Sequence, residues 1–456
     1  MRCRICTALL AVLAIGLPAW AGPDADVGKL KKENEELRSR LEQLEGTVQD
    51  LKGLVKDQSV QLKDVRNGKP GISRGDWLKL HKEMMRDAAG RTEGYPIWSN
   101  LKMQLYGYVK LDAAYNTSRV THGNLTLFAN SEGGRSNDNQ FNMTANQTRL
   151  GVKFMGPEIA GGKTSGRVEL DFYGGGADNK ANPRIRMALF RIDWADQGLT
   201  FLAGQDNDVV APLNPFTLDF GVLGWAGNIG FRRAQIRLTK CWDLGKDSTL
   251  SGTVALARNI GDGSDFGPGD SGEDYGMPHL QYRVAATFPL INKLKSTVGI
   301  SGHWGREELD TDAMDNHELY DTWSVVLDAY VPITDWLSVK GEAFTGRNLD
   351  AYLGGIGQGV NTTLDREVDS CGGWGAVSLG PWDKWRFNIG AGVDTVDKGD
   401  VNAGARTTNR VIFGNAIYSL SENASWGFEM SHWHTEFKGL DNGDSLRFQS
   451  SFIYKF

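Results

Sequence analysis

The stretch that decides the fold is Leu101-Lys102-Met103-Gln104-Leu105-Tyr106-Gly107-Tyr108-Val109-Lys110-Leu111-Asp112. Its odd positions are apolar or glycine, whereas its even positions carry Lys, Gln, Tyr and Asp. Because successive side chains of a β-strand point to opposite faces, this period of two predicts a strand with one apolar and one polar face. The same alternation recurs to the end of the chain, and between Trp98 and Phe456 it predicts about sixteen strands.

The connections between these strands alternate in length. Short turns are predicted at Pro332-Ile333-Thr334, Pro381-Trp382-Asp383 and Asp196-Gln197-Gly198, and long polar loops at 117–140, 261–277 and 349–368. Short turns on one side and long loops on the other are typical of barrels that cross the bacterial outer membrane. We therefore expect an all-β transmembrane barrel of about 16 antiparallel strands over residues 98–456.

Composition and the start of the chain agree with a barrel in the outer membrane. The 456 residues contain 50 Lys and Arg against 56 Asp and Glu, and this acidic balance argues against nucleic acid as a partner. Arg2 and Arg4 precede an apolar run, Ala8 to Leu17, and the small-x-small site Ala19-Trp20-Ala21. This layout predicts a signal peptide over residues 1–21 and export from the cytoplasm.

Residues 27–66 are predicted to form a coiled coil in the periplasm. Ten of the twelve core positions of its heptads are aliphatic. The a positions are Val27, Asn34, Leu41, Val48, Val55 and Leu62, and the d positions are Leu30, Leu37, Leu44, Leu51, Gln58 and Val65. The pattern predicts a homo-oligomer and leaves dimer and trimer open, as well as a helix packed on its own domain. Residues 67–97 are read as a connector with a short helix.

If the apolar face of the strands meets lipid, the other face lines the lumen. On that face the sequence places a basic ladder, consisting of Arg149, Arg167, Arg186, Arg233, Arg237, Arg386, Arg410 and Arg447. A basic lumen in an acidic chain lowers the electrostatic barrier for anions. Arg233 and Arg237 are expected to contribute most to anion preference. The alternative is that these arginines pair with carboxylates and only stiffen the wall.

Segment 205–229 is too apolar and too rich in proline for an exposed hairpin tip. By count it forms the third external loop, and we expect it to fold inward and narrow the pore. Its candidate constriction residues are Asp206, Asp208, Asn214 and Phe216. The alternative is contact with a neighbouring subunit or with lipopolysaccharide.

Chemistry in the barrel is not expected. His432, His434 and Glu436 alternate on one strand face, a spacing that could hold a metal ion. Their place near the external rim favours an interfacial contact instead, so no metal and no cofactor are predicted. No serine or aspartate nucleophile is paired with a histidine in a recognisable set, so the protein is not expected to be an enzyme.

A family resemblance rests on one stretch of about forty residues. Thr200-Phe201-Leu202-Ala203-Gly204-Gln205, Ala211-Pro212-Leu213-Asn214-Pro215 and Phe231-Arg232-Arg233-Ala234-Gln235-Ile236-Arg237 resemble the DcaP-like family of trimeric outer-membrane porins. The resemblance implies a homotrimer with a periplasmic stalk and passage of small anionic solutes such as dicarboxylates.

Together these features predict an outer-membrane porin for passive uptake of small hydrophilic, preferentially anionic, solutes. The predicted partners are further copies of the chain, outer-membrane lipid and lipopolysaccharide, with peptidoglycan as a candidate for the stalk. The alternative function is a structural protein that anchors the outer membrane to the cell wall through the coiled coil. A recording of ion current separates the two, because an anchor could be closed.

Overall fold

The computed structural model describes residues 102–133, 138–175, 181–260, 275–310 and 317–456. The chain divides into two compact units, Met1–Pro96 and Ile97–Phe456, and every described residue belongs to the second. The predicted signal peptide (1–21), coiled coil (27–66) and connector (67–97) lie outside the described residues.

The described chain is built from β-strands of strongly unequal length. In chain order they are β1 (Lys102–Asn116), β2 (Val120–His122), β3 (Leu125–Ala129), β4 (Gln140–Thr144), β5 (Arg149–Met155), β6 (Lys163–Asp171), β7 (Arg184–Trp194), β8 (Leu199–Asn207), β9 (Arg232–Gly245), β10 (Ser248–Ala257), β11 (His279–Pro289), β12 (Lys295–Asp310), β13 (His317–Thr334), β14 (Leu337–Arg347), β15 (Val360–Asn361), β16 (Arg366–Glu367), β17 (Asp369–Trp382), β18 (Trp385–Val396), β19 (Arg406–Ser419), β20 (Ala424–Phe437) and β21 (Gly443–Lys455).

The main sheet closes on itself at β1. Strands β4 and β5 pair with successive parts of β1, where Asn116 faces Gln140 and Lys102 faces Met155, so they are two segments of one barrel strand. β21 pairs along β1 as well and completes the ring. The hairpins β2–β3 and β15–β16 form separate small sheets. The predicted barrel of sixteen antiparallel strands is thereby confirmed.

Side chains of the barrel alternate between an outward and an inward face, as the sequence of β1 predicts. Leu105 and Val109 point outward and are 66% and 53% exposed, whereas Lys110 and Asp112 point inward and are buried. Closure removes the free sheet edges, so every barrel strand has a hydrogen-bonded neighbour on both sides. None of the helices in the described ranges is long and apolar enough to cross a bilayer.

One end of the barrel carries tight turns. Between β7 and β8 the chain reverses through a single 3-10 turn at Ala195–Gln197 followed by Gly198. Gly198 has a φ of 58°, and an added Cβ would lie 2.4 Å from the carbonyl oxygen of Cys241, so glycine is required there. Two predicted turns lie slightly too early, because β13 continues to Thr334 and β17 to Trp382. Proline is compatible with these last strand positions.

The other end of the barrel carries the long connections. Three of them matter for the interior. The first loop, 117–139, contains the hairpin β2–β3, and the third loop, 208–231, joins β8 to β9. The sixth loop, 348–368, contains a 3-10 turn at Asp350–Tyr352 and the hairpin β15–β16.

Candidate functional site in the barrel interior

The third loop runs along the inside of the barrel wall. Its backbone amides donate to inward side chains of successive strands: Val209 to Gln281 on β11 at 2.8 Å, Leu213 to Glu342 on β14 at 2.8 Å, and Leu218 to Glu429 on β20 at 2.7 Å. A buried loop must satisfy its backbone donors, and these wall side chains supply the acceptors. The loop therefore occupies the lumen instead of extending away from the barrel.

The chain sequence explains why this loop tolerates the interior. Pro212 and Pro215 have no backbone N–H that would need a partner. The apolar residues Val209, Val210 and Ala211 are buried against the wall. At the far end, Lys110 on β1 donates to the carbonyl oxygen of Leu218 at 2.7 Å. The contacts of the loop with the wall thus extend from β11 to β1.

Two arginines of the predicted basic ladder hold this loop through buried ion pairs with loop aspartates, and we call each of these ion pairs a clamp. Arg233 lies 2.8 Å from Asp208, and neither side chain is exposed. Arg447 lies 2.9 Å from Asp219 and is also buried. A buried ion pair resists separation because either partner alone would be an uncompensated charge. Placing Arg233 and Arg447 on the open lumen wall is therefore wrong: loop residues cover both.

Tyr352 of the sixth loop extends the clamp around Arg233. The centre of its ring lies 3.9 Å from the guanidinium carbon of Arg233 on one side and 3.7 Å from the ring centre of His303 on the other. Its hydroxyl is 3.1 Å from Nδ1 of His279. Burial raises the pKa of the Tyr352 hydroxyl, so the group stays neutral. Arg233 on the wall thus contacts both Asp208 of the third loop and Tyr352 of the sixth loop.

Part of the inner wall is apolar, which the strict alternation rule does not anticipate. Val411 and Phe413 on β19 and Trp433 on β20 point inward and pack against Leu223 and Ala226 of the third loop. The apolar side chains of β19 that face inward therefore meet a loop and not lipid. The interior of the barrel contains a small hydrophobic core on this side.

The prediction for Arg410 fails for the same reason. On β19 the inward positions are Asn409, Val411 and Phe413, all buried, whereas Ile412 is 60% exposed on the outer face. Arg410 shares the face of Ile412, and its side chain is 57% exposed and lies 3.0 Å from Glu436. If the apolar residues of β19 are assumed to face lipid, the inward and outward positions are exchanged along the whole strand. Arg410 is an outward-facing residue.

The wall from β5 to β9 carries a first cluster of charges on its inner face. Arg186 contacts two carboxylates, Glu169 at 2.9 Å and Asp171 at 3.0 Å. Arg184 contacts Asp171 at 2.8 Å, and Arg149 lies 3.8 Å from Glu169. Three guanidinium groups therefore surround two carboxylates, and Arg149 and Arg184 remain partly exposed.

A second cluster lies on the same wall around Asp206 on β8. Arg167 contacts Asp206 at 3.1 Å, and Arg237 lies 3.6 Å from its other oxygen. Arg237 also donates to the side-chain oxygen of Gln235 at 2.7 Å. This cluster borders a cleft of about 380 Å³ whose lining includes Arg167, Arg191 and Asp206. Asp206 thus belongs to the wall, not to the loop.

The charges of this wall do not balance. We call β5–β8 together with β9 beyond Gln235 the open arc. The covered arc is β11–β21 with β1 and Arg233 of β9, which hold the third loop. The open arc has eight inward basic residues and five inward acidic ones, an excess of three positive charges. They are Arg149, Lys153, Lys163, Arg167, Arg184, Arg186, Arg191 and Arg237 against Glu169, Asp171, Asp193, Asp206 and Asp243.

The other predicted site residues fall in three places. Asp208 is buried at the start of the third loop, whereas Asn214 and Phe216 are exposed within the lumen. Arg386 lies on the inward face of β18, since it shares that face with buried Asn388, and it is exposed near the short turns.

Sequence reasoning missed several inward cations. Lys340 alternates with Val339 on β14, and its Nζ donates to the backbone carbonyl of Asn214 in the third loop at 2.5 Å. Arg184 lies two residues before Arg186 and therefore on the same face at the rim. The signal for both is the period of two, because the neighbouring residues Val339 and Ile185 face outward.

His432 and His434 face outward on β20. Both contact Asp444 on β21, at 3.1 Å and 2.9 Å. Within the described ranges no group of three or more His, Cys, Asp or Glu side chains is arranged to hold a metal ion. The charged clusters described above in the barrel interior are ion pairs between arginines and carboxylates.

Residues 72–270 match the family model described as "DcaP outer membrane protein". This range contains the resembling stretch between Thr200 and Arg237. No curated protein matches the sequence. The family match and the closed barrel together support a channel-forming protein of the outer membrane over an enzyme.

Solved structures share the architecture. The chain is similar to the outer membrane channel DcaP of Acinetobacter baumannii, with a TM-score of 0.64, 19% identity, and coverage of 79% of this chain and 98% of that one. It is also similar to an anion-selective porin from Comamonas acidovorans, with a TM-score of 0.53, 11% identity, and coverage of 78% and 100%. At these identities the likeness is one of fold.

Proposed function

We propose that the protein is an outer-membrane porin for passive uptake of small hydrophilic anions, dicarboxylates among them. The observation that carries the proposal is the division of the lumen into two arcs. The third loop fills one side, and the remaining passage runs along the open arc with its excess positive charge. A cationic wall next to a narrow water-filled passage lowers the barrier for anions.

The arginines of the open arc are suited to carboxylates. Arg149, Arg167 and Arg184 keep part of each guanidinium exposed although each contacts a carboxylate of the wall. A guanidinium has five N–H donors, so such an arginine retains donors for a passing solute. Two exposed arginines in succession along the wall can receive the two ends of a dicarboxylate.

The test is ion selectivity in planar bilayers. Replacing Arg167 and Arg237 by glutamine removes two partly exposed positive charges and should lower the anion-to-cation permeability ratio by about twofold to fivefold. The control is Arg410→Gln, which removes a more exposed arginine from the outer face and should leave the ratio unchanged. An unchanged ratio in the double variant contradicts the role of the open arc.

The same recordings address the alternative of a structural anchor. A barrel that serves only to hold the outer membrane to the cell wall need not conduct, whereas a porin must. Absence of current from the purified, folded protein would favour the anchor.

The proposal includes self-association through the coiled coil at 27–66, with a trimer as the form that the family resemblance implies. The stalk would lie in the periplasm, within reach of peptidoglycan, and the barrel would contact lipid and lipopolysaccharide. Deleting residues 27–66 should leave single-channel current mostly intact, because the passage lies within each barrel. Loss of current would contradict this division of roles.

A further inference from the structure

The exposed part of the third loop carries no charge. From Val209 to Leu218 the sequence is Val-Val-Ala-Pro-Leu-Asn-Pro-Phe-Thr-Leu. Within it Pro212, Asn214 and Phe216 are exposed, whereas Ala211 and Pro215 are buried. This alternation directs every second side chain into the lumen. The surface that faces the open passage is therefore uncharged and largely apolar.

Phe216 is the largest of these exposed side chains, with 49% of its surface exposed. A large apolar ring in a water-filled passage is unusual, because its exposure to water is unfavourable. Ala211 and Leu218 make the buried contacts of this segment, and about half of the Phe216 side chain remains exposed. The ring is therefore available to a solute.

The ring is also held in position. The ammonium group of Lys340 lies 3.4 Å from the ring centre, a cation–π contact, and it also donates to the carbonyl oxygen of Asn214. The carbonyl oxygen of Phe216 itself accepts a hydrogen bond from Asn415 at 2.7 Å. A residue whose ring and backbone are both held in place can act on a solute without first losing much conformational freedom.

The passage is therefore bounded by two unlike surfaces. The open arc presents guanidinium groups to the passage. The third loop, which lies on the covered arc, presents Phe216 and Pro212 and no carboxylate. A compact or polyhydroxylated anion interacts only with the first. An anion that has an apolar body interacts with both, because it can place its carboxylate on the arginines and its hydrocarbon part on the ring.

We propose that Phe216 determines specificity in this passage by favouring carboxylates with an apolar body over equally charged polar carboxylates. The inference rests on the proposed function as an anion-preferring porin and names the class of anion. Phe216 contributes the apolar surface and Lys340 fixes its orientation.

The test compares two anions of equal charge and carbon number, one with an apolar body and one with a hydroxylated body. Hexanoate and gluconate are both six-carbon monocarboxylates, and at pH 7 both are monoanions. Their permeabilities relative to chloride follow from reversal potentials in planar bilayers that contain the purified full-length protein. Phe216→Ser should lower the hexanoate-to-gluconate ratio by about threefold, whereas Phe216→Trp should retain it.

The control is Phe141→Ser, which removes a phenylalanine from the outer face of β4 and should leave the ratio at the value of the unsubstituted protein. If Phe216→Ser lowers the ratio only by raising the permeability of gluconate, the bulkier anion, the residue affects only pore width and the proposal is wrong, because lost contact with the ring must lower the permeability of hexanoate itself. An unchanged ratio also rejects it. Failure of the proposed function looks different, since the unsubstituted protein would then show no current or no preference for chloride over potassium. Phe216→Leu, which keeps an apolar side chain, should give an intermediate ratio.

Discussion

The covered arc and the open arc contain the same kinds of charged residue, but these residues have different roles. Where the third loop lies against the wall, Glu429 and Glu342 accept hydrogen bonds from loop amides, and Arg233 on β9 is buried against Asp208 at the start of the loop. On the open arc, Arg149 and Arg167 contact carboxylates but keep part of their surface exposed. An inward charged residue of a barrel is therefore not automatically part of the passage. What decides its role is whether a loop covers it.

The largest expected effect follows from breaking the clamp at the base of the third loop. Asp208→Ala leaves Arg233 as a buried charge without its carboxylate, which should destabilise the barrel by about 3–5 kcal/mol. Unfolding in urea, followed by the shift of the folded band on unheated gels, measures the change. The exposed pair Arg410–Glu436 supplies the control, because Glu436→Ala should cost only about 0–1 kcal/mol. Equal losses for both variants would remove the distinction between clamped and exposed charges.

A smaller effect is expected where the loop meets β20. Glu429 accepts from the amides of Leu218 at 2.7 Å and Asp219 at 3.2 Å, so Glu429→Ala leaves two buried donors without this acceptor. The loss should be about 1–3 kcal/mol of local stability. Because the loop would then be held less firmly at this end, single-channel current should become larger or noisier. A quiet current of unchanged size would show that the other contacts suffice to hold the loop.

On the open arc the expected change is one of selectivity. Asp206 is the carboxylate shared by Arg167 and Arg237, so Asp206→Asn raises the excess of positive charge by one. The anion-to-cation permeability ratio should rise, by up to about fivefold. Its direction is opposite to that expected for removing the arginines themselves. A fall in the ratio would mean that Asp206 matters mainly for orienting these two side chains.

The fold could be predicted from the sequence because the period of two is a local property of each strand. β1 shows it most clearly, with Leu105 and Val109 outward and Lys110 and Asp112 inward. The pairing that closes the barrel follows from counting such strands, since antiparallel neighbours need only a turn between them. The interior could be predicted less well, because the loops that enter it bring their contacts from distant parts of the chain.

Two residues show where the prediction of the site reaches its limit. Arg233 lies on the predicted inward face, but Asp208 and Tyr352 cover it, and Tyr352 is more than one hundred positions away along the chain. On β19, Val411 and Phe413 resemble lipid-facing residues until Leu223 of the third loop is placed against them. In both cases a loop within the barrel changes the surroundings of a strand residue. Patterns within single strands do not contain that information.

The smallest effect is expected at Arg410, and it tests the boundary between inside and outside. Arg410 is 57% exposed on the outer face, beside Ile412 and paired with Glu436. Arg410→Gln should therefore change the free energy of unfolding by less than about 0.5 kcal/mol and leave ion selectivity as it is. Both values come from the urea titration and the reversal potential. A clear loss of anion preference would place Arg410 in the passage, and with it the whole inward face of β19. Val411 and Phe413 would then have to face lipid, and the hydrophobic core that holds the third loop on the covered arc could not exist.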